Sequence, residues 1–252
     1  VHIDNKDKDE TTTAAGEFNP NDRTKARIVV DSYRTEPKDV FAGESFDLFI
    51  TMKNASASVA ASNILFTLES EKANDSAVFS MEEGSSSHAV NSLPANQTTE
   101  LKLKMTARAG VDQRSYSITI NEQYATDKVT VDIPVKQVAR MNVGSFDINP
   151  DTISVGDDSN VTFQINNTGK VVLYNLMAKF SADSIKENEA YIGNIKPGDS
   201  GNVDVNLTGK AVTSDDGKIN LTISYEDENG NVTEETKDFI LNVIESAEEE
   251  TD

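Results

Sequence analysis

Apolar and polar residues alternate over short segments along most of the chain. A period of two runs through four segments, whose apolar positions are Phe46, Leu48, Ile50 and Met52, then Leu101, Leu103 and Met105, then Val161, Phe163 and Ile165, and lastly Val203, Val205 and Leu207. Successive side chains of a β-strand point to opposite faces of the sheet, so this period predicts strands with one buried face. In the first segment we expect Asp47, Phe49, Thr51 and Lys53 to lie on the opposite face.

Turn-forming residues separate the predicted strands. They are Gly43, Pro94, Gly156, Pro197-Gly198 and Asn229-Gly230. A weak helical pattern over Ser181–Gly193 predicts one short turn of helix. About seven short strands in roughly 110 residues, with turns every 8–12 residues, is the pattern of an immunoglobulin-like β-sandwich. The predicted fold class is therefore all-β, with two tandem immunoglobulin-like β-sandwich domains and disordered polar termini.

The second half of the chain repeats the first half. Val40–Leu68 is similar to Ser154–Phe180, and Ser92–Met105 is similar to Asn194–Leu207. A period of roughly a hundred residues is too long for a solenoid and suits tandem domains. We predict a flexible leader over 1–25, a first sandwich over 26–136, a second over 137–245 and an acidic tail over 246–252.

Four residues of the repeat predict its turns. Asn54 and Asn167 end equivalent strands, where an asparagine side chain can bond the backbone of the next loop. Gly43 and Gly156 precede equivalent strands, where we expect a turn with positive φ. These residues predict a shared scaffold, not a binding site.

The two copies differ in other turn glycines. Domain 2 has Gly169 and Gly198, and at these positions we predict Ser56 and Ala95 in domain 1. This divergence leads to the hypothesis that the loops of domain 1 are specialised for a partner. The segment Ala73–His88 is the first such loop to test.

The charge of the chain restricts its partners. There are 43 Asp and Glu residues against 23 Lys and Arg, giving a net charge of −20. Phosphate backbones and anionic membrane surfaces both require clustered basic residues, so we expect no nucleic-acid partner and no docking on anionic lipid. The chain has no cysteine, which excludes disulfides and thiolate sites. It shows no signal peptide or apolar membrane span, and we expect a membrane anchor outside the given sequence.

Catalytic motifs are not apparent. The two histidines, His2 and His88, lie in polar segments, and the serines before His88 do not form a Gly-x-Ser-x-Gly elbow. Phosphate-binding and dinucleotide-binding glycine loops are also missing from the sequence. We therefore expect no enzymatic activity, no catalytic residue and no organic cofactor.

Two sets of residues are candidates for binding. Asp227, Asn229 and Asn231 present oxygen ligands at alternate positions, which makes them candidates for a calcium site, although Gly230 stands at the fourth position and not at the sixth as in an EF-hand loop. A plain Asn-Gly hairpin is the alternative. With no tryptophan in the chain, the aromatic candidates for stacking on a sugar are Tyr174, Tyr191 and Tyr225, for which core positions are the alternative.

The repeated segments resemble a family of bacterial and archaeal cell-surface modules. Glu36–Leu68 and Asn149–Phe180 are similar to the immunoglobulin-like domains called CARDB or S-layer-type domains, in which Pro, Gly, an alternating strand and an Asn-x-Ser/Thr follow one another. Gly193–Leu207 resembles the family's second motif, a Pro-Gly turn followed by a strand. The resemblance extends over about 26–243 and is closer in domain 2.

The resemblance implies a structural domain that occurs in proteins with many different functions. It favours a non-catalytic extracellular protein of a bacterium, anchored to the membrane or wall, that mediates adhesion, spacing or protein–protein interaction. The alternatives are an extracytoplasmic accessory of a membrane exporter of the ABC type and a carbohydrate-binding accessory module. The sequence identifies no particular protein or cell-surface partner.

Overall fold

The computed structural model describes residues 24–82, 86–124 and 128–247. Over these residues the secondary structure is strand, turn and loop without any helix, so the predicted all-β class is confirmed. Within the same ranges there is consequently no helix able to cross a membrane. The predicted leader over 1–25 and acidic tail over 246–252 lie almost wholly outside the described residues.

The predicted helical turn within Ser181–Gly193 is wrong. Residues Asn188–Ile195 form a strand, and Ile185 makes an isolated β-bridge with Gly209. A single helical turn is costly to nucleate, whereas the neighbouring strands offer this segment backbone partners at once. Pairing between strands therefore determines its conformation.

The chain divides into two compact units. Unit 1 consists of Val1–Val111 with Ser115–Val135, and unit 2 of Asp112–Arg114 with Lys136–Asp252. The described strands of unit 1 are β1 (Ile28–Glu36), β2 (Val40–Phe41), β3 (Ser45–Asn54), β4 (Ala61–Ser70), β5 (Lys72–Ala73), β6 (Ser76–Ala77), β7 (Phe79–Met81), β8 (Ser87–Leu93), β9 (Thr98–Ala107), β10 (Arg114–Asn121) and β11 (Val129–Lys136).

Unit 1 is a β-sandwich. One sheet has the strand order β1-β3-β9-β7 and the other the order β2-β11-β10-β4-β8, while β5 and β6 form a short hairpin. Leu48 and Leu103 from the first sheet and Ile64 and Ile118 from the second belong to one buried cluster. The predicted inward positions of β3 and β9 are all buried, as their alternation indicated.

Unit 2 repeats this arrangement. Its described strands are β12 (Met141–Val143), β13 (Asp147–Asn149), β14 (Thr152–Ser154), β15 (Asp158–Asn167), β16 (Leu173–Ser181), β17 (Asn188–Ile195), β18 (Ser200–Thr208), β19 (Lys218–Glu226), β20 (Val232–Ile240) and β21 (Asn242–Ile244). β12 and β13 both pair with β15, which pairs with β18, and the facing sheet has the order β17-β16-β19-β20. β14 pairs in parallel with β21.

Phenylalanine rings fill the centre of unit 2. The Phe180 ring lies 6.2 Å from that of Phe163 on the opposite sheet and 6.2 Å from that of Phe239, measured between centroids. Both contacts are edge-to-face, the arrangement that aromatic quadrupoles favour. Because unit 2 lacks the tryptophan and disulfide of antibody domains, these rings and the surrounding aliphatic residues form its core.

Phe49 departs from the simple alternation. It occupies the outward face of β3 as predicted, yet it is only 8% exposed. The guanidinium carbon of Arg34 lies 4.0 Å from the ring centroid and Lys102 Nζ lies 5.3 Å from it. These two cations cover an aromatic ring that would otherwise be exposed to water, an arrangement stabilised by cation–π attraction.

Glu82 makes the stability of unit 1 depend on pH. Its carboxylate accepts hydrogen bonds from Ser45 Oγ and from Thr106 Oγ1 at 2.7 Å, and Lys104 Nζ lies 3.0 Å away. These contacts, the one from Ser45 foremost, lower the pKa of Glu82 from 4.5 to about 2. A carboxylate with a depressed pKa in the folded state stabilises that state above its unfolded pKa, and the contribution is lost as the pH falls through the folded pKa.

We therefore expect Glu82→Gln to lower the free energy of unfolding at pH 7, and expect its difference from the wild type to disappear between about pH 4.5 and pH 2. Denaturant unfolding at a series of pH values measures this difference. Glu44→Gln, at an exposed turn residue, is the control for loss of a negative charge. A difference for Glu82→Gln that stays constant down to pH 2 would contradict the assignment.

Candidate functional site

Asn54 is a buried scaffold residue. Its Nδ2 donates to the carbonyl oxygens of Val59 at 2.8 Å and Leu93 at 3.0 Å, and its Oδ1 accepts from the amide of Ser56 at 3.0 Å. The side chain is fully excluded from solvent. It therefore ties the end of β3 to the following loop and to the end of β8.

Asn167 makes the same contacts in unit 2. Its Nδ2 donates to the carbonyl oxygens of Val171 at 2.8 Å and Ile195 at 2.9 Å, and its Oδ1 accepts from the amide of Gly169 at 3.0 Å. The predicted scaffold role of both asparagines is thereby confirmed. We call Asn54 and Asn167 the asparagine latches of their units.

The prediction that Ala95 stands in place of Gly198 is wrong. In unit 2, Gly198 has φ +83° and its amide donates to the Asn167 carbonyl at 3.0 Å. In unit 1, Asn96 takes this place: it has φ +59° and its amide donates to the Asn54 carbonyl at 2.9 Å. Asparagine tolerates the left-handed region better than other non-glycine residues, so it can replace glycine here. The two turns are thus more alike than their sequences indicate. Gly43 and Gly156 both have the predicted positive φ.

The calcium candidates lie in the hairpin between β19 and β20. The Asp227 carboxylate accepts from the amides of Asn229 at 2.8 Å and Asn231 at 2.9 Å, and from Asn231 Nδ2 at 2.8 Å. The Asn231 bonds chiefly lower the pKa of Asp227. The carboxylate thus closes the turn, as expected for the alternative, a plain Asn-Gly hairpin. Calcium binding stays a prediction, and a calorimetric titration of the chain with Ca²⁺ tests it.

No other metal or catalytic constellation emerges among the described residues. Groups of three or more His, Asp or Glu side chains able to hold a metal do not occur there. His88 lies on β8, while part of the serine-rich segment before it lies outside the described residues. Within the candidate loop Ala73–His88, the described residues form β6, β7 and parts of β5 and β8.

The three candidate tyrosines differ in their exposure to solvent. Tyr225 is 6% exposed, and burial, followed by the charge of Glu235, raises its pKa. Tyr174 is half-buried at the start of β16. Tyr191, on β17, is 65% exposed. Tyr225 thus has the core position that was the alternative, and Tyr191 is the most exposed of the three.

Tyr191 belongs to a hydrogen-bonded group that we call the Tyr191 cluster: Tyr191, Asn175, Asn194 and Glu226. Tyr191 Oη donates to Asn175 Oδ1 at 3.1 Å, and Asn175 Nδ2 donates to Glu226 Oε2 at 3.1 Å. The Asn175 amide donates to Asn194 Oδ1 at 2.9 Å. The side chains come from β16, β17 and the end of β19, so three adjacent strands position them.

A β-bulge places Asn175 at the centre of this cluster. The register of β16 with β17 shifts between Leu173 and Met177, and Asn175 has φ +49°. Bulges redirect side chains locally, and a left-handed conformation within a strand is unusual for a non-glycine residue. Asparagine is among the residues that tolerate it best. The bulge therefore gives the Asn175 side chain its position between Tyr191 and Glu226.

Asn175 and Glu226 were not among the predicted site residues. A signal was present in the sequence repeat, because Asn63 precedes an isoleucine in unit 1 as Asn175 precedes a leucine in unit 2. The structure gives both asparagines a positive φ, +52° and +49°. Recurrence of an asparagine inside a strand indicates a conserved backbone irregularity within this chain. The proximity of Glu226, more than fifty positions later, had no such signal because it depends on the pairing of β16 with β19.

A second polar surface covers the outer face of β15 and β18. The opposed pairs are Asp158 with Thr208, Asn160 with Asn206, Thr162 with Asp204, Gln164 with Asn202, and Asn166 with Ser200. All ten are uncharged polar or acidic, and Asn160 Nδ2 donates to Asp204 Oδ1 at 2.7 Å. An open groove of about 440 Å³ crosses this face. These pairs offer hydrogen-bonding groups, and Phe163 and Val203 contribute to the lining of the groove.

Comparison with known proteins matches one part of the chain to a family. Residues 138–238 match CARDB, immunoglobulin-like domains that typically occur in extracellular or cell-surface proteins. The resemblance seen in the sequence is thereby confirmed for domain 2, and the second copy over 26–136 stays a prediction. No curated protein matches the chain.

Among solved structures, red sea bream transglutaminase is similar to this chain at 13% identity with a TM-score of 0.32. The match covers 87% of this chain and 32% of the transglutaminase chain. The chain therefore spans about a third of that protein's length, and so weak a likeness carries no argument about function.

Proposed function

We propose that this chain is a non-catalytic extracellular surface protein of a bacterium, built from two tandem immunoglobulin-like sandwiches that present surfaces for adhesion or protein–protein interaction. Anchoring to the membrane or wall would be provided by parts of the protein outside the given sequence. The match of residues 138–238 to CARDB supports the surface location.

The strand orders support two immunoglobulin-like modules. In such a module the first, second, fifth and fourth principal strands form one sheet and the third, sixth and seventh form the other. Unit 1 has β1-β3-β9-β7 facing a sheet in which β4, β10 and β11 are adjacent. Unit 2 has β15 with β18 facing a sheet in which β16, β19 and β20 are adjacent. The second and fifth principal strands are thus adjacent in both units, as are the third, sixth and seventh, which supports a common module.

The observation that carries the proposal is the repeated asparagine latch. Asn54 and Asn167 make the same set of side-chain bonds, at the same strand end, in units whose other residues differ widely. In unit 2 the asparagine latch lies within the segment that matches CARDB. Because unit 1 has the same latch, the latch supports assigning unit 1 to the same family. Tandem rigid modules of this kind present loops and strand edges to partners.

Antibody labelling of intact cells of the source organism tests the location. We expect an antibody raised against the chain to label unpermeabilised cells, and external protease to remove the signal. Added soluble chain should compete for attachment of those cells to their surface or partner cells. Labelling that requires permeabilisation would refute the surface location, and attachment unaffected by a large excess of the chain would refute the adhesive role.

A further inference from the structure

We propose that the Tyr191 cluster is a binding site for a neutral, hydroxyl-rich saccharide. The inference rests on the proposed function for its biological setting and deepens it by naming a ligand class. It places the site on the outer face of the sheet that contains β16, β17 and β19, with the Tyr191 ring as its stacking platform.

The Tyr191 ring lies beside Gly193 and is largely exposed to solvent. An added Cβ at Gly193 would lie 3.8 Å from Tyr191 Cε1, so the ring passes close to the main chain of this glycine. The residue as a whole is nevertheless 65% exposed. An exposed aromatic ring can stack on the apolar C–H face of a pyranose, because aromatic faces carry a negative quadrupole and bury considerable area.

The polar groups around the ring suit hydroxyl recognition. Asn175 uses both ends of its side-chain amide within the cluster, accepting from Tyr191 and donating to Glu226 Oε2. Glu226 bonds through Oε2 and Asn194 through Oδ1, and among the described residues Glu226 Oε1 and Asn194 Nδ2 make no hydrogen bond. One is an acceptor and the other a donor, so this face can both accept a hydrogen bond from a ligand hydroxyl and donate one to it.

The charge of the cluster indicates that the saccharide is neutral. Glu226 is its single ionisable carboxylate and none of the four residues is basic. Lys179, on the same strand as Asn175, lies 3.9 Å from Glu187, which offsets its charge. A sulfated, phosphorylated or uronic acid polymer would meet the carboxylate without a compensating cation, and so would be repelled.

The cluster is preorganised. The Tyr191 hydroxyl is held by Asn175, which is held in turn by Glu226 and by the bulge of β16. A side chain already fixed in one rotamer loses little conformational entropy when a ligand binds. Tyrosine and asparagine combine contact area with adaptable hydrogen bonding, as they do in other recognition surfaces.

Unit 1 offers an internal comparison. Asn63 has a positive φ there, as Asn175 has in unit 2, and is followed two positions later by Leu65, which pairs with Ala89. In unit 2, Met177 follows Asn175 by two positions and pairs with Tyr191. The left-handed asparagine is therefore common to both units, while the register shift and the aromatic ring at this position occur in unit 2. A role confined to scaffolding would not require this difference, which points to a ligand that unit 2 binds.

The test uses the full chain on an array of neutral oligosaccharides and polysaccharides, including β-glucan, dextran, galactomannan and chitohexaose, with alginate and heparin as anionic probes. The neutral probe with the strongest signal is then titrated calorimetrically. We expect Tyr191→Ala to weaken its binding at least about tenfold, as for a central aromatic anchor. Tyr191→Phe keeps the ring but loses the bond to Asn175, and we expect a smaller loss, about threefold.

Tyr33→Ala is the matched control. Tyr33 is an exposed tyrosine of unit 1 at 44% exposure, and its hydroxyl is likewise anchored, on the Asp132 carbonyl at 3.0 Å. We expect this variant to bind like the wild type. A melting curve for every variant checks that each remains folded. If Tyr191→Ala fails to fold, Asn175→Gly tests the cluster instead, because it permits the same backbone conformation but removes the side-chain amide.

The inference would be overturned if no neutral saccharide bound, if anionic probes bound as tightly as neutral ones, or if Tyr191→Ala and the wild type had equal affinity. Equal losses in Tyr33→Ala and Tyr191→Ala would overturn it as well. If the array shows no binding while the chain still attaches to cells, the saccharide inference fails and the proposed function stands. If the array shows binding but the antibody does not label intact cells, the surface location fails instead.

Discussion

Asn167→Ala is expected to lower the free energy of unfolding of unit 2 by about 2–4 kcal/mol, because it leaves main-chain groups of three residues without their partner. These groups are the carbonyls of Val171 and Ile195 and the amide of Gly169. An unsatisfied buried group costs about 1–3 kcal/mol, and Val171 and Gly169 are only half-buried, so water offsets part of the sum. Guanidinium denaturation followed by circular dichroism, fitted with one transition per unit, measures the loss.

Two further variants separate the hydrogen bonds from the loss of side-chain volume. Asn167→Asp has the same shape but cannot donate to the two carbonyls, so we expect a loss comparable with that of Asn167→Ala. Asn160→Ala removes an exposed asparagine of the same strand that donates to the side chains of Asp204 and Asn206, and we expect less than about 0.5 kcal/mol. A wild-type stability for Asn167→Asp would refute the latch. Asn54→Ala should reproduce the effect in unit 1.

Phe180→Ala is expected to cost unit 2 about 3–5 kcal/mol, the range for removing a buried aromatic side chain from a core. The ring is fully buried and contacts those of Phe163 and Phe239, which belong to opposite sheets. Its removal leaves a cavity at the centre of the sandwich that these neighbours can close only in part. The same denaturation experiment measures the change, and hydrogen exchange of β16 and β19 localises it.

Phe49→Ala is the matched control for this substitution. Phe49 is also nearly excluded from solvent, but by Arg34 and Lys102 on an outer face and not by a packed core. Water can enter the space that its ring leaves, so we expect a loss of about 1–2 kcal/mol, from burial and cation–π terms alone. Equal losses for the two variants would contradict the assignment of Phe180 to a close-packed interior.

Much of the fold was predictable because the alternation of side chains along a strand is a local property. Leu48 and Ile50 on β3, and Phe163 and Ile165 on β15, are buried as their period of two predicted. The exception is the opposite face, where Phe49 is buried although its position in the pattern is outward. Its burial depends on Arg34 of a neighbouring strand, which no local pattern contains.

The site was predictable only in part. Tyr191 and Tyr225 have the same chemistry in the sequence, and their exposures of 65% and 6% follow from which side of their strands faces the core. Asp227 was correctly placed in an Asn-Gly hairpin. Asn96 was overlooked because its equivalence to Gly198 depends on backbone conformation, not on residue type.

By itself, the sequence determined the all-β class, the repeat, the acidic character and the inward faces of the strands, since each is a property of composition or of short spacing along the chain. Only the tertiary structure decided which tyrosine meets the solvent, which residues surround it and what each latch binds. Those relations join residues distant in the chain: Asn175 meets Glu226, and Asn54 meets Leu93. They depend on strand register and, for Asn175, on the β-bulge of β16, whose geometry arises from the pairing of strands and not from local preference.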